Sequence, residues 1–114
     1  MPYDHELAED MRALLADRND VVEKPMFGGR AFMVSGHLAA CAGHAGDLLV
    51  RVGPEAHGAA RKRPGTSDFV MSGRVAKGWV RVDPATITSD EELAAWILQG
   101  VNFATSLPPK RAKQ

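Results

Sequence analysis

The stretch M-F-G-G-R-A-F-M-V-S-G, residues 26–36, decides how this chain can fold, because it places two adjacent glycines inside an apolar run. Gly28-Gly29 could cradle a phosphate only if a helix began directly after the pair, since the donors would be the free N–H groups of that helix start. Residues 30–34 instead have the character of a strand, and Ser35-Gly36 suits a tight hairpin turn. The glycine pair is therefore predicted to be a bend or bulge between two strands.

Further strand-like segments lie on both sides of this stretch, separated by short turns. Strands are predicted at 21–27, 30–34, 37–42 and 47–52, a loop at 64–68, and extended segments at 69–71 and 78–83. Pro25 restricts the first strand to an edge or an irregular position, because proline cannot donate to a sheet. Short turns join antiparallel strands, whereas a parallel pair needs a long crossover, so the sheet is predicted to be antiparallel.

Helical periodicity marks both ends of the chain. Residues 4–17 carry apolar side chains at helical spacing behind Asp4, which can cap the helix start. A short helix is predicted to start at Gly53-Pro54-Glu55 and to end by residue 63. Ser89-x-x-Glu92 has the form of a capping box, in which each side chain accepts from a free backbone N–H. The stripe of the last helix comprises Leu93, Trp96, Ile97, Gly100, Val101 and Ala104, and Leu107-Pro108-Pro109 ends it.

This order of elements predicts an α+β fold of two layers, in which N-terminal and C-terminal helices pack on one face of an antiparallel sheet. With 114 residues, the chain has the length of one domain, predicted at 1–107, followed by a basic flexible tail at 108–114. An apolar content of 45% and a charged content of 25% are typical of globular proteins and argue against disorder.

Composition also limits the compartment. No apolar run approaches the roughly 18 residues of a membrane span, and the acidic N-terminus is unlike a signal peptide. The single cysteine, Cys41, cannot form an internal disulfide, which fits a reducing environment and predicts a cytoplasmic protein without membrane contact.

Charge is distributed unevenly although the net charge is zero. Residues 1–23 carry seven acids and two bases, residues 24–81 nine bases and three acids, and residues 82–114 four acids and three bases. The segments therefore have net charges of −5, +6 and −1. A basic middle between acidic ends could attract an anionic partner, or it could reflect helices at both ends that complement the middle.

Metal and catalytic sites are not predicted. His37-x-x-x-Cys41-x-x-His44 would suit a metal on a helix, but on a strand positions 37 and 41 lie roughly 13 Å apart, too far for one ion. Cys41 is interpreted as a small core residue, and His5 and His57 as solvated. The acids at 90–92 favour a helix start rather than an acid–base pair. The chain is therefore predicted to be non-enzymatic and to use no cofactor.

One face of the predicted sheet is a candidate binding surface. If Leu48, Val50, Val52, Val80 and Val82 pack on the helices, alternation places Leu49, Arg51, Trp79 and Arg81 on the opposite face. Trp and Arg on an open sheet face could contact a protein, or stack and pair with nucleic acid. Arg61-Lys62-Arg63 and Lys110-Arg111 add charge that could follow phosphates. Alternatively, the 64–77 loop or the proline-rich tail covers Trp79, and the basic run is a solvated helix end.

Several motifs, taken in order, resemble one family. Met26-Phe27-Gly28-Gly29, extended as M-F-G-G-x-x-F-x-x-x-G to Gly36, resembles the N-terminal domain of the TfoX/Sxy competence regulators. The resemblance continues through L-L-V-R-V-G-P-E at 48–55, M-x-G-R at 71–74, G-W-V-R-V at 78–82 and L-P-P-K at 107–110. It covers nearly the whole chain.

The resemblance implies an α+β sheet domain without known catalytic residues, in which the M-F-G-G motif is structural. In two-domain members a helical domain follows, and the whole protein helps switch on DNA-uptake genes together with a transcription factor. This chain stops where that second domain would begin, so it is similar to the single-domain members. We expect a binding or regulatory domain that acts through a protein partner or self-association, with transcriptional regulation as a candidate process. The alternative is direct nucleic-acid binding through the basic middle segment and the Trp/Arg face.

Overall fold

The computed structural model describes residues 4–26, 28–44 and 46–108, which form one antiparallel sheet with helices on one of its faces. This arrangement confirms the predicted α+β class. In chain order the elements of the described residues are α1 (His5–Leu14), β1 (Val21–Met26), β2 (Gly29–Val34), β3 (His37–Ala42), β4 (Leu48–Arg51), α2 (His57–Arg61), β5 (Thr66–Met71), β6 (Arg74–Val82), a 3-10 turn (Pro84–Thr86) and α3 (Asp90–Ser106). The strand order across the sheet is β1-β2-β3-β4-β6-β5.

The glycine pair closes the β1–β2 hairpin. Met26 pairs with Gly29, strand β2 begins at Gly29, and Gly28 has a φ of +74° that favours glycine. A Cβ atom on Gly29 would collide with the carbonyl oxygen of Ala42 on β3. A strand and not a helix follows the glycine pair. The pair therefore forms a bend and lets neighbouring strands approach closely, as the sequence predicts.

The main core lies between the helices and the sheet. Alternating residues of β4 and β6, including Leu48, Val50 and Val80, are fully buried on the face of the sheet that the helices cover. The six residues of the predicted α3 stripe are the ones that the helix buries. Burial of each large apolar side chain contributes roughly 1.5–3 kcal/mol, so this stripe attaches α3 to the sheet.

The closest contact between the two layers is at Gly100 on α3. In the β2–β3 pair, Phe32 is opposite Ala40 and Met33 is opposite Leu38, so Ala39 is an extra residue that bulges. A Cβ atom on Gly100 would lie far inside van der Waals contact with the carbonyl oxygen of Ala39. The helix can rest on the bulged strand only because this position has no side chain.

An ion-pair bridge attaches α1 to the edge of the sheet. Nε and Nη2 of Arg12 each donate to the Glu23 carboxylate on β1 at 2.7 Å, and Nε of Arg30 on β2 donates to it at 2.8 Å. The hydrogen bonds from Arg12, assisted by Arg30, lower the pKa of Glu23 from 4.5 to about 2 against the opposing effect of burial. Glu23 therefore holds three elements together while it is ionised.

Several local predictions are wrong. Residues 66–68 belong to β5, and the segment expected to be a 64–77 loop is mostly a β5–β6 hairpin. Helix α1 ends at Leu14, and α2 begins at His57 rather than next to Pro54. At α3, Ser89 accepts from the Glu92 N–H as predicted, but Glu92 accepts from the backbone N–H and hydroxyl of Thr88. The second half of the capping box is displaced by one residue, from Ser89 to Thr88.

Substituting Gly100 by alanine is expected to lower the free energy of unfolding by about 1–3 kcal/mol, because the new methyl group must push α3 off the Ala39 carbonyl. Gly58→Ala in α2 is the matched control. The space around Gly58 is open, so this variant gains up to about 1 kcal/mol from helix propensity. Urea unfolding of both variants checks the prediction, and equal stability of the two would contradict it.

The Glu23 bridge predicts a pH-dependent difference between the wild type and Glu23→Gln. Because the folded-state pKa of Glu23 is about 2 and its ordinary value is 4.5, the stabilisation is complete above about pH 5 and is lost as the pH falls toward 2. We expect Glu23→Gln to cost about 1–2 kcal/mol at pH 7 and almost nothing near pH 2. Denaturant unfolding from pH 7 to pH 2 tests this, with the exposed Glu55→Gln as control. A difference that did not change with pH would rule out the bridge as its source.

Candidate interaction surfaces

A second, smaller apolar cluster lies on the sheet face opposite the helices. Ala31, Leu38, Cys41 and Leu49 are buried there, and four larger side chains pack against them: Met26, Met33, Phe69 and Trp79. Trp79 is half-buried, with its ring centroid 5.6 Å from that of Phe69. The sequence correctly places Leu49 and Trp79 on this face, and strand β5, rather than a loop, supplies the aromatic neighbour.

The two predicted arginines of this face interact within the chain. The guanidinium carbon of Arg51 lies 5.9 Å from the ring centroid of Trp79 and 5.2 Å from that of Phe103 on α3. Arg81 donates from Nε to Asp47 at 2.7 Å. The Asp47 carboxylate therefore lowers the positive charge that Arg81 offers to an external phosphate, whereas the ring contacts orient Arg51 and leave its charge in place.

The basic run Arg61-Lys62-Arg63 lies on the other side of the sheet. Arg61 donates to Asp68 at 2.8 Å and to Thr66, and the guanidinium carbon of Arg63 sits 3.6 Å from the ring centroid of Trp96 on α3. Lys62 is exposed. Because Ala60 and Trp96 belong to the helix-side core, these three residues are separated by the sheet from Trp79 and Arg81. The six candidate residues form two groups and not one continuous surface.

Part of the predicted motif and most of the predicted tail lie outside the described residues. Met26 packs on the second cluster, and Gly28 and Gly29 shape the β1–β2 turn, whereas Phe27 is not among the described residues. Of the predicted tail at 108–114, only Pro108 is described, and its carbonyl accepts a 2.6 Å hydrogen bond from His37 Nε2.

Cys41 and His57 are held by contacts within the fold. Cys41 is fully buried, and desolvation together with the Asp47 carboxylate raises the pKa of its thiol to about 12. His57 is not solvated as predicted: its side chain is 14% exposed, and Nδ1 accepts the Gly78 N–H at 3.3 Å. Within 4–26, 28–44 and 46–108, no group of three His, Cys, Asp or Glu side chains could hold a metal ion.

The outer half of the β5–β6 hairpin exposes apolar side chains. Val70 and Val75 face each other across the two strands with 55% and 50% of their surface exposed, and Met71 is 40% exposed. Ser72 and Gly73 form the turn with φ values of 53° and 78°. We call residues 70–77 the finger; it also carries the exposed cations Arg74 and Lys77 and contains no acidic residue.

The sequence contains a signal that could have identified the finger. Ser-Gly occurs at 35–36, where it predicts a hairpin turn correctly, and again at 72–73 between short apolar segments. Between the Asp68–Val80 pair and the Val70–Val75 pair, β5 contains one residue and β6 contains four. This irregularity interrupts the alternation of apolar and polar residues by which a strand is recognised in a sequence. The sequence of the finger therefore lacks the period-two pattern.

A second exposed apolar surface lies between the two long helices. Three adjoining cavities of about 240, 200 and 300 Å³ share lining residues along the line where α1 and α3 meet. Leu14 and Leu98 are exposed along this α1/α3 groove, which we define by Asp10, Leu14, Asp90, Leu93 and Leu98. One end of the groove is acidic, with Asp4 and Glu6 beside Asp10 and Asp90.

The structure thus defines a small two-layer α+β domain with two exposed apolar surfaces, at the finger and at the α1/α3 groove. No helix of the described ranges is both long and apolar enough to cross a membrane. The model of the TfoX N-terminal domain family matches residues 13–104 of the 114. The chain therefore belongs to the TfoX N-terminal domain family, as the motifs indicated. No curated protein and no solved structure matches it.

Burial of Cys41 predicts that the native thiol is unreactive. With no exposed surface and a pKa of about 12, the thiol is neither accessible nor ionised at pH 8, so a disulfide reagent should label it only at the rate at which the protein opens. The same protein in guanidinium chloride should react rapidly with one equivalent. Fast labelling of the native protein would show that the second cluster is open to solvent.

Proposed function

We propose that this chain is a non-enzymatic protein-binding domain with a regulatory role, and that it contacts its partner through the finger. The observation that carries the proposal is the concentration of exposed large apolar side chains at one hairpin tip. Six such side chains are exposed in the described part of the chain, and three of them belong to the finger: Val70, Met71 and Val75. Exposed large apolar side chains concentrated in one place are typical of an interaction site.

The charges around these side chains specify the chemistry of the partner. Arg74 and Lys77 flank the apolar tip, and no acidic residue lies between positions 69 and 78. The finger therefore suits a protein surface that combines an apolar depression with carboxylates. Because the hairpin is held by the sheet at Asp68 and Val80, it presents these side chains with little loss of conformational entropy on binding.

The surroundings of the reactive residues support a non-enzymatic role. Cys41 is buried as a neutral thiol, and His57 uses Nδ1 to accept a backbone N–H. A nucleophile needs a neighbouring base and must be accessible to the substrate. Neither Cys41 nor His57 meets both requirements. The resemblance to competence regulators supports transcriptional regulation as the process in which the protein contact is used.

The contacts of the arginines argue against direct nucleic-acid binding as the main function. Arg61 and Arg81 are paired with Asp68 and Asp47, and Arg63 is stacked on Trp96. Binding to phosphates would have to compete with the two ion pairs, and it would fall steeply with salt. Titration of the chain with DNA and RNA at two salt concentrations separates the functions, since tight and salt-sensitive binding would favour the nucleic-acid alternative.

Photo-crosslinking in cells tests the proposed protein contact. A photoreactive amino acid at position 71 or 75 should give discrete crosslinked protein adducts, whereas the same group at the exposed position 55 should not. Adding Arg74→Glu should reduce the adduct yield roughly tenfold, because it opposes the carboxylates of the partner surface. Equal adduct patterns at all three positions, or adducts that ignore Arg74→Glu, would refute the finger as the contact surface.

A further inference from the structure

We propose that the partner of the finger is a second copy of this chain, and that the finger docks in the α1/α3 groove of that copy. This proposal rests on the proposed function, because it uses the finger as the contact surface. It adds the identity of the partner, the surface that receives the finger and the symmetry of the resulting assembly.

The two surfaces are complementary in charge. The finger carries Arg74 and Lys77 and no acid, so its charge is positive. The cavities at the acidic end of the groove are lined by four carboxylates, and the described lining there contains no lysine or arginine. These carboxylates belong to Asp4, Glu6, Asp10 and Asp90. Opposite charges on two surfaces steer association and disfavour wrong partners.

The two surfaces are also matched in their apolar character. Of the six large apolar side chains that are exposed in the described ranges, three lie in the finger and two, Leu14 and Leu98, in the groove. The sixth, Val22, is on strand β1. The cavities of the groove, about 200 to 300 Å³ each, can each take a valine or methionine side chain. Docking would therefore cover five of these six side chains in one contact.

The finger cannot reach the acidic end of the groove in its own chain. The turn of the finger and the start of α3 are at opposite ends of β6, where Arg74 and Val82 are separated by roughly 26 Å at 3.3 Å per residue. Phe103, near the end of α3, packs at Gly53, whose N–H bonds to the Gly78 carbonyl beside the finger. The finger thus projects beyond the C-terminal end of α3, whereas the acidic end of the groove lies at its N-terminal end.

The contact consequently joins two different surfaces of two identical chains. Such a heterologous contact leaves a free finger at one end of a dimer and a free groove at the other. Growth continues into a ring or an open chain, and salt weakens it by screening the charges. A two-fold symmetric dimer would use the same surface twice and would stop at two chains.

Two variants, each blocked on one surface, test this arrangement by sedimentation velocity. The finger variant is Arg74→Glu with Lys77→Glu, and the groove variant is Asp10→Lys with Asp90→Lys; circular dichroism checks that both are folded. The wild type should form assemblies that grow with concentration and shrink in high salt. Each variant alone should be monomeric, with self-association weakened about tenfold or more. Lys62→Glu with Glu55→Lys, which reverses exposed charges elsewhere, should behave as the wild type.

Mixing the two blocked variants gives the decisive result. One variant retains a functional groove and the other a functional finger, so an equimolar mixture should form a one-to-one dimer that does not grow further. A chain carrying all four reversals should assemble again, because its charges are complementary in the opposite sense. A wild type that stays monomeric at low salt, a mixture that stays monomeric, or assembly that persists in either variant would overturn the proposal. If self-association fails but finger-specific crosslinks to a different protein remain, the proposed function stands and only the self-association proposal fails. If those crosslinks are also absent, the proposed function and the self-association proposal both fail.

Discussion

The contact between Gly100 of α3 and the bulged carbonyl of Ala39 is the constraint on which the rest of the molecule depends. A side chain at position 100 would lift the helix, and the stripe from Leu93 to Ala104 would lose its contact with the sheet. The same helix position brings Phe103 against Gly53 and Trp96 under Arg63. The placement of α2 and of the β4–α2 turn therefore follows from how closely α3 approaches the sheet.

Ion pairs within the chain determine which charges remain for contacts with other molecules. The basic middle segment has a net charge of +6, yet Arg30, Arg61 and Arg81 are paired with carboxylates. Two of these partners, Asp47 and Asp68, lie in the same segment, and Glu23 comes from the acidic N-terminal part. The acidic N-terminal part thus neutralises Arg30 through a residue of β1 and not of a helix, while pairing within the middle segment accounts for the other two.

The organisation of the domain separates its buried apolar clusters from its exposed apolar side chains. The helix-side core and the second cluster hold the sheet from both faces, and the residues with exposed apolar surface lie at its margins, in the finger and between the helices. A rigid sheet that presents a short hairpin can bind without large rearrangement, because the backbone of the hairpin is already ordered.

The sequence by itself determined the fold class, the antiparallel strands from 21 to 52, the glycine bend and the buried stripe of α3, because local periodicity and turn chemistry specify these features. It also placed Leu49 and Trp79 on the second face. Only the tertiary structure decided that Arg61 and Arg63 are separated from Arg81 by the sheet, that His57 is partly buried, and that the segment after residue 65 is a hairpin. Those outcomes depend on side-chain pairing over long sequence distances and on an irregular strand pair, in which neighbouring residues do not reveal which face a side chain takes.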